Sequence, residues 1–217
     1  MAAHATSVIG SSIGAKVVMA LSGVVMSGWL MLHVVGNLLV FSGAATLNGY
    51  GALLRSEPAL LWAIRSGLLL AVVLHVGSAI VLARRNRQAR GVRYRARRRG
   101  GSLAGRSMAL SGALLLVLTA AHVLHIYGPL HPSFVEGDIH HNLIAGLQAP
   151  AVAGLHGLGV VLAGMHLHHG LWSVLRTLGL RGATGLDRWL DRGAVALVVG
   201  LVAGFLVPLV AIVAGLV

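Results

Sequence analysis

Residues 165–173 read MHLHHGLWS and lie inside an apolar stretch, residues 149–174, that also contains His156. That stretch exceeds the roughly 20 residues an α-helix needs to cross a bilayer. Yet it carries four histidines: His156, His166, His168 and His169. Polar side chains in hydrocarbon are costly and persist where a partner compensates them. Both fold and function turn on what that partner is.

Outward from this stretch, four further apolar runs reach membrane-spanning length, at residues 17–41, 59–82, 108–127 and 194–217. The whole chain has 217 residues, 57% of them hydrophobic and only 10% charged, with a mean hydropathy of +0.86. Such a composition excludes a soluble domain of this size. The expected fold is therefore an all-α integral membrane protein of five transmembrane helices, one membrane domain over residues 1–217. The segments between the spans, SGAATLNGYG with SEP, YGPLHPS and GLRGATG, carry the usual chain breakers and read as loops. The N-terminal segment has no charge before Lys16 and leads into an apolar run longer than a signal-peptide core, so it reads as retained.

Charge sets the expected orientation. There are 17 Lys+Arg against 5 Asp+Glu. Ten arginines fall between Arg84 and Arg106, and Arg176, Arg181, Arg188 and Arg192 follow the fourth span. The alternate connections hold Arg55, with Arg65 at the entrance of the second span, and then no Lys or Arg in residues 128–148. The positive-inside rule then puts the N-terminus and both Arg-rich connections in the cytoplasm. Topology accounts for the arginines, so nucleic acid is not an expected partner, whereas the lipid bilayer is. The absence of cysteine rules out disulfides, thiolate-held iron–sulfur clusters and covalently attached haem in this chain.

Eight of the twelve histidines fall within the expected spans: His33, His75, His122, His125, His156, His166, His168 and His169. A helix rises 1.5 Å per residue, so depth follows from the distance to the cation at each cytoplasmic end. His33 lies about 25 Å from Lys16 and His122 about 24 Å from Arg106 on this rise. His75 lies about 13 Å from Arg84 and His166 about 15 Å from Arg176. Two levels result, an outer one with His33 and His122 and an inner one with His75 and His166. Facing neutral imidazoles from different helices are what bis-histidine ligation of haem iron requires, and two such pairs would hold two b-type haems in a four-helix core. A proton or ion relay and hydrogen-bonded packing are the competing readings. Depth alone leaves His168 as a rival for His166, His125 as a rival for His122, and His156 close to the outer level. Gly36, Gly77, Gly164 and Gly170 near these positions suit a flat macrocycle, but also ordinary close helix packing. His131, His140 and His141, with Glu136 and Asp138, read as solvated loop residues, because their spacing matches no zinc pattern. His4 reads as part of a disordered terminus.

The residues KVVMALSG at 16–23, HVVGNLLVF at 33–41, the lone His75, RSM at 106–108, HVLH at 122–125 and HLHHGLWSVLRTLG at 166–179 run through nearly the whole chain. Together they resemble the five-helix, di-haem cytochrome b membrane subunit of succinate dehydrogenase and fumarate reductase. The last segment is the most specific, combining His166, Gly170, Trp172, Ser173, Thr177, Leu178 and Gly179. The resemblance implies His75/His166 as axial ligands of an inner haem and His33/His122 as those of an outer one. It also implies a FAD-carrying flavoprotein and an iron–sulfur subunit on the cytoplasmic side of a bacterial cytoplasmic membrane. Electrons would pass to a quinone, menaquinone being the expected one. Quinone, proton or haem-edge roles fall to His125, His156, Glu57 and Glu136 near the outer level, and to Ser22, Ser173 and Arg176 near the inner one. Two features depart from the family pattern: Arg176 stands where an uncharged polar residue is common, and ALLLVLTAAH at 113–122 is poor in aromatics. Other classes remain: a cytochrome b of a hydrogenase or formate dehydrogenase, a haem-free histidine-lined transporter or proton channel, and a haem-free structural anchor.

Overall fold

A computed structural model of the chain describes residues 11–88, 103–128, 130–180, 182 and 186–217. His4, Arg181 and most of the arginine-rich segment after the second span lie outside the described residues. Those described form seven α-helices: α1 (Ser12–Leu38), α2 (Ala44–Ser56), α3 (Pro58–Gln88), α4 (Leu103–Ile126), α5 (Ile139–Leu147), α6 (Pro150–Thr177) and α7 (Asp187–Val213). Five stretches are long and apolar enough to cross a membrane: Ser12–Ser42, Pro58–Gln88, Ser107–Ile126, Pro150–Thr177 and Asp187–Val213. The protein is all-α and multi-pass. Large side chains such as Leu32, Val35, Leu69, Val117, Val199 and Val210 are exposed along these helices, an arrangement that only an apolar surrounding tolerates.

The helix ends follow capping chemistry more than hydropathy. α1 starts at Ser12 because the Ser11 hydroxyl accepts the Gly14 N–H at 3.0 Å. Pro150 opens α6, where its missing N–H costs nothing. α7 starts at Asp187, one polar helical segment before the apolar run expected at 194. Pro208 inside α7 is accommodated within a membrane helix.

The connections expected to be loops hold two helices. α2 and α5 pack against each other, and α5 also meets α4, α6 and α7, so the pair caps one end of the bundle. The contact is close: a Cβ on Gly51 would collide with the Ile139 side chain. Leu147, Ala153, Leu209 and Ile212 form an apolar cluster that ties α5 to α6 and α7 beneath this cap. Asn48 Nδ2 donates to Asp138 Oδ1 at 2.9 Å, and the same oxygen accepts the His141 N–H at 2.9 Å to start α5. These two donors hold the Asp138 carboxyl below its ordinary value of 3.8. A carboxyl with a depressed folded pKa stabilises the fold above its unfolded value and loses that contribution as pH falls through the folded one. Protection of the α5 amides, taken relative to their intrinsic exchange rates, is therefore expected to fall below about pH 3.8, and Asp138→Asn is expected to abolish that acid-dependent step.

Within the membrane layer, α1 packs on α3, α6 and α7, and α6 packs on α4 and α7. Among the described residues no close packing joins α1 to α4, α3 to α6, or α3 to α4. The four helices α3, α1, α6 and α4 thus form an open arc, with α7 closing the α1/α6 side. Glycines permit the close approaches of α7: a Cβ on Gly204 would lie 2.5 Å from Val34 Cγ1, and one on Gly164 would lie 2.5 Å from Val202 Cγ2. Valine is stiff at χ1 and yields poorly. Gly204→Ala is therefore expected to cost about 1–3 kcal/mol, read as a lowered unfolding midpoint in detergent; an unchanged midpoint would mean that the α1/α7 contact relaxes freely.

Candidate di-imidazole sites

The two diagonals of the arc, across which the backbones stay apart, are each bridged by a histidine pair. His75 of α3 and His166 of α6 place their ring centres 6.3 Å apart at an interplanar angle of 62°. His33 of α1 and His122 of α4 place theirs 6.1 Å apart at 81°. The second pair lies toward the capped end and the first toward the opposite end. All four side chains are half-buried.

The inner pair is anchored. His75 Nδ1 donates to the Met19 carbonyl at 3.0 Å, with Ser22 Oγ at 3.4 Å. His166 Nδ1 lies 3.2 Å from Ser111 Oγ, whose hydroxyl donates onward to the Met108 carbonyl at 3.2 Å. A carbonyl only accepts, so the His75 imidazole carries its proton on Nδ1, and His166 does the same when the Ser111 hydroxyl gives its proton to the Met108 carbonyl. Each Nε2 is left with a free lone pair, the form that ligates a metal. The outer pair is held by packing instead: His33 stacks on Trp29 at 6.0 Å and meets Phe205 of α7 at 5.7 Å, while His122 meets His156 at 5.3 Å.

The ring-centre separations, 6.1 and 6.3 Å, are of the size that two imidazoles sharing one metal would have. With a metal–imidazole bond of about 2.0 Å and about 1.1 Å more from ring nitrogen to ring centre, trans imidazoles on one ion sit about 6.2 Å apart. The described residues contain no group of three His, Cys, Asp or Glu able to hold a bare metal ion. A two-imidazole set suits an iron whose other four ligands come from a macrocycle, as in bis-histidine haem.

Depth alone left rivals, and the side chains of these rivals differ in their surroundings. His168 is exposed, whereas His166 faces His75. His125 turns away from the outer pair: it is buried, with its ring 5.5 Å from His156 and 5.3 Å from His131. Neither of its ring nitrogens has a hydrogen-bond partner. His156 donates from Nδ1 to the Val152 carbonyl at 2.9 Å, leaving Nε2 buried and unpartnered. Ser22 is buried beside His75. Arg176 is exposed with its guanidinium 5.8 Å over Trp172, and Ser173, Glu57 and Glu136 are exposed.

His131 differs from its expectation as a solvated loop residue. It is buried under α5: Nδ1 accepts the Ser133 N–H at 3.1 Å and Nε2 donates to the Asn142 carbonyl at 2.8 Å. Asn142 in turn accepts the Val135 N–H at 2.8 Å and donates to the Val135 carbonyl at 2.7 Å. A Cβ on Gly146 would lie 2.8 Å from His125 and 2.9 Å from His131, so glycine is required where α5 crosses these rings. The signal was present as Asp138 three residues before His141, a helix-start pattern hidden by the neighbouring breakers. No protein-family model, curated protein or solved structure matches the chain.

Proposed function

We propose that this chain is the di-haem cytochrome b membrane subunit of a succinate dehydrogenase or fumarate reductase, in a bacterial cytoplasmic membrane with its N-terminus in the cytoplasm. The observation that carries the reading is the spacing of two imidazole pairs, 6.3 and 6.1 Å between ring centres, at two depths. The family motifs in the sequence supply the rest. His75 and His166 ligate the inner haem b, and His33 and His122 the outer one. When bound, the haems supply one-electron transfer between an iron–sulfur partner and a quinone.

The chain's own residues hold, orient and exclude. Met19, Ser22 and Ser111 keep the inner imidazoles in the Nδ1-protonated form. Trp29 and Phe205 fix the plane of His33. Near the outer pair, His125 and His156 offer buried ring nitrogens without partners. His125 can donate a hydrogen bond to a quinone oxygen, and His156 Nε2, whose ring proton is on Nδ1, can accept one from a quinol hydroxyl; this favours quinone reduction at the outer level, with menaquinone as substrate. The flavoprotein carrying FAD and the iron–sulfur subunit dock on the Arg-rich cytoplasmic face, and the chemistry at succinate belongs to them.

Succinate added to membranes that contain the full complex is expected to reduce the b-type absorption. Reduction by formate or hydrogen alone would instead indicate a cytochrome b of another quinone-linked dehydrogenase. An electron moved from the cytoplasmic to the outer level gains about 2.3 kcal/mol per 100 mV of membrane potential. Succinate oxidation is accordingly expected to slow when an uncoupler collapses that potential, and an uncoupler-insensitive rate would place quinone reduction at the inner level.

A further inference from the structure

The pentapeptide MALSG occurs twice, at residues 19–23 on α1 and 108–112 on α4. In both copies a histidine follows the methionine by fourteen residues, His33 in one and His122 in the other. The next membrane-crossing helix of each half then supplies His75 or His166. The four-helix core therefore reads as one hairpin used twice, α1 with α3 and α4 with α6, and each imidazole pair consists of equivalent residues from the two halves. Such parallel halves are related by an axis along the membrane normal.

Each MALSG segment meets the inner imidazole of its own half, and with the same parts. Ser22 Oγ lies 3.4 Å from His75 Nδ1, and Ser111 Oγ lies 3.2 Å from His166 Nδ1. The glycine that follows lies under the same ring: a Cβ on Gly23 would be 3.3 Å from His75 Cε1, and one on Gly112 would be 3.2 Å from His166 Cε1. The methionine carbonyl closes each set. Met19 takes the imidazole proton directly, whereas Met108 takes the proton of the serine that holds the imidazole. The outer imidazoles have no counterpart of this arrangement among the described hydrogen bonds.

We propose that the two MALSG segments form a duplicated cradle that positions and polarises the inner imidazoles, with Ser111 the dominant positioning residue. The proposal rests on reading His75 and His166 as ligands of the inner haem. A hydrogen bond to the far nitrogen makes an imidazole a stronger donor to the metal and fixes its ring plane, and loss of such a partner costs 10–100-fold in related sites. Stronger donation favours the oxidised metal, so the cradle would hold the inner centre at a lower potential than the same centre without it. The two serines are unequal, because His75 keeps the Met19 carbonyl without Ser22, while His166 has only Ser111.

The test is a spectroscopic redox titration of the purified complex. Ser111→Ala is expected to change the oxidised-to-reduced ratio of the inner centre about tenfold toward reduced, 59 mV for one electron, or to release the inner haem while the outer remains. Ser22→Ala is expected to shift it by less than half as much, and Ser111→Thr to restore the wild-type value. An unshifted inner centre in Ser111→Ala, or a larger effect from Ser22→Ala, overturns the cradle while leaving two haems in place. Wild-type complex without haem overturns the functional reading and the cradle together. Should Ser111→Ala fail to accumulate, Gly112→Ala is compared with Gly28→Ala, whose added Cβ would meet nothing within 4 Å. A shifted inner signal in the first alone supports the cradle, and identical signals overturn it.

Discussion

His166→Ala is expected to remove one of two b-type haems, halving the haem content per polypeptide and lowering succinate-dependent quinone reduction by at least about a hundredfold, about 2.7 kcal/mol at 1.36 kcal/mol per decade. His166 faces His75 across a diagonal where, among the described residues, α3 and α6 are not extensively packed, with ring centres 6.3 Å apart. Its Nδ1 is bound to Ser111, so its Nε2 lone pair is the group that alanine removes. With His166 gone, His75 alone would remain to hold an inner haem. His168→Ala serves as the matched control, since that side chain is exposed two residues away, and is expected to keep both haems. If His168→Ala lost a haem and His166→Ala did not, the inner assignment would be wrong.

His122→Ala is expected to separate entry from exit. The outer haem should disappear, succinate should still reduce the inner one, and quinone reduction should again fall at least about a hundredfold, at the same 1.36 kcal/mol per decade. The basis is the position of His122 between His33 at 6.1 Å and His156 at 5.3 Å, beside the unpartnered nitrogens of His156 and His125. Quinone reduction that survives at more than half the wild-type rate would place the exit at the inner level and leave His125 and His156 as packing residues.

The five spans were legible because apolar run length is a composition signal, and residues 17–41 or 149–174 need no tertiary information to be recognised. Their ends were less so. α7 begins at Asp187, seven residues before the apolar run, because Arg188, Asp191 and Arg192 are helical without being hydrophobic. α2 and α5 were missed altogether. Each is short, and α2 carries Gly49 and Gly51 in its interior; what stabilises it is the contact of Gly51 with Ile139 and the bond of Asn48 to Asp138, ninety residues apart. Local propensity cannot register such contacts.

At the sites, depth along a helix is readable from residue counts, and it grouped the histidines by level. Facing is not readable in the same way. His166 and His168 differ by two residues and point to different surroundings, and His125 is turned toward His156 and His131 rather than His33. His131 looked solvated because YGPLHPS is rich in breakers, yet α5 folds over it. The MALSG duplication was in the sequence throughout, but its meaning depends on the serine–imidazole contacts that only the folded chain displays.

The central claim is that the two histidine pairs each hold a haem. The most direct measurement is a dithionite-reduced minus oxidised absorption spectrum of the chain purified with its partners, with haem quantified per polypeptide. Two b-type haems per chain is the predicted result; one haem would contradict the claim for one of the pairs, and none would contradict it for both.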